Sequence, residues 1–290
     1  MATAHNGTCE IHYQTFGDRR DPALLMINGL GSQSVNYHDD WCSMFVATGL
    51  FVIRFDNRDV GLSTSFEHAP VGDHGQAYTL SDMAADAIAV LDAEDIARAH
   101  VMGLSMGGMI AQTLAIEHAD RLLTMTSVMS RTGEPEFGMS SPEAFALLVG
   151  PPATDRETAV QNHIAGLCVW GSPEFADEAR WRRDAERSFD RRFSPSGTRR
   201  QFMAVGASGS RADALRSVDV PTLVIHGDKD TLIDQSGGRR TAELIPGARF
   251  ELIEGMGHDY PPQLWARWTQ LVSEFAHAHA AGRTRTDTGR

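Results

Sequence analysis

A serine between glycines, a histidine in a glycine-rich stretch and two aspartates beside the chain's lone lysine are the residues whose setting suggests chemistry. Ser105 stands in Gly103-Leu104-Ser105-Met106-Gly107. On its own, G-x-S-x-G is a weak signal in a chain with 27 glycines. Its context strengthens it, because the apolar run His100-Val-Met102 closes just before it and a helical period opens at Met106. A sharp strand-to-helix turn lifts a serine oxygen clear of a sheet. It also aims the amide of the next residue, Met106, at a developing oxyanion. A hydroxyl is a poor nucleophile until a base takes its proton, so a histidine must lie nearby. Of the 12 histidines, His258 has the right setting. It sits in Gly255-Met256-Gly257-His258, just past the strand-like run Phe250–Ile253, at the sheet edge where α/β folds place their ligands. His226 ends a strand-like run before its loop and is read as a supporting residue.

The acid that orients the base should follow the run Leu223–His226, in Gly227-Asp228-Lys229-Asp230. Asp230 is the first choice and Asp228 the alternative. A second oxyanion donor is expected from the loop after the first strand of the series, Asn28-Gly29-Leu30-Gly31, with the Leu30 amide as donor. The order Ser105, Asp230, His258 along the chain is that of one fold and differs from both common protease orders.

The elements that must hold these residues follow from pattern. Leu24–Ile27, Phe51–Phe55, His100–Gly103, Leu122–Met129, Pro221–His226 and Arg249–Ile253 are short apolar runs flanked by turn residues and read as strands. Leu80–Ala93, with Ser81 as its expected N-cap, Met106–His118 and Leu264–His279 carry a helical period. Alternation of the two predicts an α/β fold, a mostly parallel sheet covered by helices on both faces. From 131 to 217 the alternation stops, so the expected organisation is a core of residues 1–130 and 218–280, a mainly helical insertion over 131–217, and a disordered tail over 281–290. Eight arginines between Arg180 and Arg200, interleaved with acids, read as a solvated helical face. The insertion's aromatics, Phe137, Phe145, Trp170, Phe175, Trp181, Phe189, Phe193 and Phe202, read mostly as its own core, with an apolar substrate lining as the other reading.

Composition narrows the remainder. A formal charge of −12 over 290 residues disfavours a nucleic-acid backbone as partner. Three scattered cysteines, Cys9, Cys42 and Cys168, form neither a disulfide framework nor a zinc motif. The first residues show no signal-peptide pattern, and no apolar stretch approaches bilayer length. The expectation is a soluble cytoplasmic protein without a membrane partner, its state as monomer or homodimer left open.

With these residues assembled, the chain resembles α/β-hydrolases of the esterase type, and more narrowly the aclacinomycin methylesterase group. The carriers are Asn28-Gly29, Arg54-Phe-Asp-Asn-Arg-Asp-Val-Gly-Leu-Ser63, His100-Val-Met-Gly-Leu-Ser-Met-Gly-Gly108, Val220-Pro-Thr-Leu-Val-Ile-His-Gly-Asp-Lys-Asp230 and Ile253-Glu-Gly-Met-Gly-His258. Many relatives have His-Gly where this chain has Asn28-Gly29. The resemblance implies a serine hydrolase that cleaves a small-molecule carboxylic ester through an acyl-enzyme, with no metal or organic cofactor. It also implies a helical cap at 131–217 that sets substrate range, perhydrolysis as a cofactor-free haloperoxidase or C–C bond hydrolysis by the same three residues as alternatives, and a non-catalytic binding protein on the same fold as a more distant one.

Overall fold

The computed structural model describes residues 2–69 and 76–280; the tail expected at 281–290 lies outside them. Eight strands form one sheet: β1 (Ala2–Asn6), β2 (Cys9–Phe16), β3 (Ala23–Ile27), β4 (Phe51–Phe55), β5 (Ala99–Leu104), β6 (Leu122–Val128), β7 (Thr222–Gly227) and β8 (Arg249–Ile253). Their order is β1-β2-β4-β3-β5-β6-β7-β8. The β1–β2 and β2–β4 pairs are antiparallel and all others parallel, so the fold is α/β with a mostly parallel sheet. The six strand-like runs correspond to β3–β8. The hairpin β1–β2, turning at Gly7 with φ +59°, had no place in that reading.

Strands that are apolar throughout still alternate in direction. Leu25 and Ile27 of β3 face one cluster, with Ile53, Val101 and the helices α2 (Leu80–Ala93) and α3 (Met106–Glu117). Leu24 and Met26 face the other, under α1 (Asp39–Ala47) and a C-terminal helix, Pro262–His279. Burying each such side chain stabilises the fold by about 1.5–3 kcal/mol before entropy is counted. Both faces are therefore covered, and the strand ends are left to carry chemistry. At the start of α2 the expected Ser81 cap is wrong. Thr79 is the N-cap, accepting from the Asp82 amide, while the Asp82 carboxylate accepts from the Thr79 amide. That reciprocal pair satisfies two end amides at once, which Ser81 cannot do from inside the first turn.

Between β6 and β7 the chain forms α4 (Pro142–Leu148), α5 (Arg156–Trp170), α6 (Glu178–Arg191), α7 (Pro195–Ser208) and α8 (Ala212–Leu215). Ser141, Asp155 and Asp177 cap the first three, each accepting the amide three residues on. The segment's own buried core is small: Val160, Ile164, Trp181 and Ala185, between α5 and α6. Trp181 is in that core as expected, but half of the eight aromatics do otherwise. Phe145, Phe193 and Phe202 are exposed, and Phe175 packs on the core cluster under the last helix. The arginine run is also not merely a solvated face. Arg191 pairs at 2.7 Å with Asp56, and Arg200 holds Asp59 through two bonds of 2.9 and 2.6 Å. Both aspartates are fully buried in the loop after β4, so two charged clasps fasten the insertion to the sheet. Helix α9 (Ser236–Leu244) and the last helix, α10 (Pro262–His279), complete the fold. Among the described residues no helix is long and apolar enough to cross a membrane.

Candidate active site

Ser105 directly follows β5 and caps α3 with φ +56° and ψ −117°, a conformation that costs of order 1–3 kcal/mol outside glycine and persists only when its surroundings enforce it. The enforcement is visible. The Ser105 amide donates to Val128 O at 2.9 Å, and its carbonyl accepts from Ser130 Oγ at 2.8 Å and from the Gly108 amide at 2.9 Å. A Cβ on Gly103 would stand 2.0 Å from Gly107 O, and one on Gly107 would stand 2.0 Å from Ile27 O. The motif's glycines are thus a requirement of backbone against backbone.

Three of the residues singled out from the sequence come together. Ser105 Oγ lies 2.9 Å from His258 Nε2, and His258 Nδ1 lies 2.7 Å from Asp230 Oδ2. Asp230, in the loop after β7, also accepts the Leu232 and Ile233 amides through Oδ1, at 2.9 and 2.8 Å. Burial opposes ionisation of Asp230, but the charge and hydrogen bonds of His258 and His226 outweigh it and draw the carboxyl down to about 2. An ionised Asp230 can only accept, so Nδ1 carries the proton and Nε2 is left to accept from the Ser105 hydroxyl. His226 is fully buried; its Nε2 donates to Ile233 O at 2.8 Å and stands 3.3 Å from Asp230 Oδ2. Asp228 goes elsewhere, accepting the Gly255 amide at 2.7 Å and pairing with Lys229.

The loop after β3 passes close beside the serine. A Cβ on Gly29 would stand 3.3 Å from Ser105 Cβ and 3.8 Å from its Oγ. Asn28 is buried there and braces the turn, donating from Nδ2 to Gln33 O at 3.1 Å while its carbonyl accepts from Asn57 Nδ2. Leu30 follows Gly29 in this loop, and Met106, directly after the serine, is the first residue of α3. Sequence reasoning missed Asn57, Gln33, Ser130, Ser172 and Gln201, the polar side chains that brace the loops. The signal for two of them lay in Asp56-Asn57 and Ser32-Gln33, polar pairs that directly follow or soon follow apolar strands.

The fold agrees with what known proteins look like. A model of the alpha/beta hydrolase fold matches residues 22–260. The rhodomycin D methylesterase of Streptomyces peucetius is 31% identical over 271 residues, 84% of this chain and 87% of that one. A 3-oxoadipate enol-lactonase of Acinetobacter baylyi is 27% identical over 257 residues, 84% of this chain and 85% of its own. Among solved structures, the enol-lactonase from Burkholderia xenovorans superposes with a TM-score of 0.75 at 26% identity, over 95% of this chain and all of that one. The chain belongs to the α/β-hydrolase family. The relatives it matches are hydrolases, a methylesterase and an enol-lactonase among them.

Proposed function

We propose that the chain hydrolyses carboxylic esters with Ser105 as nucleophile, His258 as general base and Asp230 as the group that orients the base. The observation that carries this reading is the unbroken line of contacts from Ser105 Oγ to His258 Nε2 and from His258 Nδ1 to Asp230 Oδ2. His258 accepts the serine proton as Ser105 attacks the ester carbonyl, and the Met106 and Leu30 amides take the oxyanion. His258 then returns the proton to the departing alcohol, and a water activated by the same histidine releases the acid. Nothing in this sequence of steps draws on a metal or organic cofactor.

The match to a methylesterase favours a small alcohol on a bulky apolar acid, with the insertion at 131–217 as a cap over the site. The buried free thiols Cys9 and Cys42 suit a reducing, cytoplasmic setting. A panel of p-nitrophenyl and methyl esters, run on the parent and on Ser105→Ala with fluorophosphonate labelling alongside, tests the reading. Turnover and labelling that both survive in Ser105→Ala reject it. Peracid formation outrunning ester cleavage in the parent redirects it to a perhydrolase.

A further inference from the structure

The insertion reaches the site at two places, and at each it supplies a hydrogen bond to a loop that must carry a reacting group. Gln201 of α7 is fully buried. Its Oε1 accepts the Gly31 amide at 2.8 Å, and its Nε2 donates to Arg58 O at 2.8 Å. Gly31 adjoins Leu30, and a Cβ on it would stand 2.8 Å from Thr198 Oγ1 of the same helix. Next to it, Gln33 Nε2 donates to the Ser188 and Arg192 carbonyls at the end of α6.

The second place is the histidine loop. The His258 amide donates to Trp170 O, the last residue of α5. The Gly257 amide donates to Ser172 Oγ at 2.9 Å, and Ser172 Oγ donates in turn to Asp259 Oδ1. Here too the approach is close, since a Cβ on Gly257 would stand 2.4 Å from Trp170 O. The near half of the same loop is held by the core, through the Gly255 amide on Asp228 Oδ1 and the Lys229 amide on Met256 O. Among the described residues, the amides of Gly31, Gly257 and His258 find their acceptors in the insertion.

We propose that Gln201 and Ser172 are positioning residues, and that the insertion completes the catalytic centre by fixing the oxyanion loop and the base loop. Oxyanion donors act only when they stand 2.7–3.1 Å from the place where charge develops, and a displacement of 1 Å can cost a hundredfold. A loop whose middle amide loses its acceptor is free to make such a displacement. Asp259 adds to the argument for the base loop. It is buried, its Oδ2 has no partner, and burial raises its carboxyl while the Ser172 bonds lower it. Removing the Ser172 hydroxyl therefore disturbs the neighbour of His258 as well as the Gly257 amide.

This inference rests on the serine-esterase reading, and the experiment separates the two. Full-length Gln201→Met, Gln201→Glu and Ser172→Ala are compared with the parent in p-nitrophenyl butyrate kinetics, phenylboronic acid inhibition, fluorophosphonate labelling and thermal melting. Val90→Ala, which opens a cavity in the core under α2 at a residue that makes none of these contacts, shows how far kcat changes with melting temperature alone. Gln201→Met should lower kcat by roughly tenfold to a hundredfold with KM little changed, and weaken phenylboronic acid by the same factor. Gln201→Glu, which still offers Gly31 an oxygen and, as the neutral acid that burial favours, a hydrogen to Arg58 O, should recover part of both, and it carries the test should Gln201→Met not fold. Ser172→Ala should lower kcat and the labelling rate together. Variants that keep the parent's kcat, or lose no more of it than Val90→Ala at equal melting temperature, overturn the inference while a labelled parent leaves the esterase reading standing. A parent that fluorophosphonate does not label overturns both.

Discussion

The strand ends and the insertion hold the candidate site in opposite ways. At the strand ends, Ser105 and Asp230 are held by short-range geometry: a strained turn between glycines, and a carboxylate gripped by two amides two and three residues on. In the insertion, Arg191, Arg200, Gln201 and Ser172 act across 87 to 170 residues of sequence, each on a loop of the core. Local geometry writes itself into a motif. Distant contact between side chain and backbone does not, because any of many polar residues elsewhere could supply it.

The largest test of the contrast is Ser105→Ala, which should abolish ester turnover, a loss of many orders of magnitude, while circular dichroism and melting stay those of a folded protein. Retained turnover above a few per cent would show that the motif at β5 is only a tight turn. Asp230→Asn should follow, with kcat down by about 10⁴-fold because the orienting carboxylate sets the tautomer of the base. Asp228→Asn serves as its comparison and should cost far less; the reverse ranking would move the acid by two residues. On the insertion's side, Arg200→Ala leaves Asp59 buried without its cation and should destabilise the protein by about 3–5 kcal/mol in denaturant unfolding. Arg156→Ala, at an exposed pair with Asp190, should change little. Equal effects would mean that the clasps to the β4 loop do not hold the insertion down.

A fourth test uses pH. Burial first, then the like charges of His277, His279 and Arg98, lowers His100 of β5 to about 4, against about 6.5 in an unfolded chain. The fold therefore prefers neutral His100. Its contribution is whole above about pH 6.5 and is lost as pH falls toward about 4, up to about 3 kcal/mol. His100→Gln should flatten the stability profile over that window, and an unchanged slope would assign the acid sensitivity elsewhere. The smallest expected effect is at the start of α2, where Thr79→Ala should cost about 1 kcal/mol and Ser81→Ala no more than about 0.5 kcal/mol.

These outcomes trace how much could be read beforehand. β3–β8 were legible because each is a brief apolar run stopped by glycine or a polar turn, and strand ends are where α/β sheets gather their reactive side chains. The β1–β2 hairpin was not, because Cys9–Phe16 buries Ile11, His12 and Tyr13 in succession, which breaks the alternation that marks a half-exposed strand. The helices α4–α8 lie between β6 and β7, and their partners in the core were not legible. Arg191 and Arg200 look like their solvated neighbours until Asp56 and Asp59 are placed opposite them. Ser81 misled because a serine at the front of an apolar period is a common cap, and the reciprocal Thr79–Asp82 pair begins two residues earlier.

The parallel pairing of β6 with β7 has a consequence for how such a molecule changes over generations. The chain leaves β6 at the carboxyl ends of the strands and must return to their amino ends to begin the neighbouring β7, so some long crossover is obligatory whatever its content. The entropy of closing that crossover grows only with the logarithm of its length, about 0.6 kcal/mol for each doubling. Lengthening, trimming or exchanging the segment is therefore thermodynamically cheap for the sheet. What limits exchange is a handful of docking points: an incoming segment must meet the two buried aspartates with cations and offer acceptors to the amides of Gly31, Gly257 and His258. Grafts that carry those few groups have room to differ everywhere else.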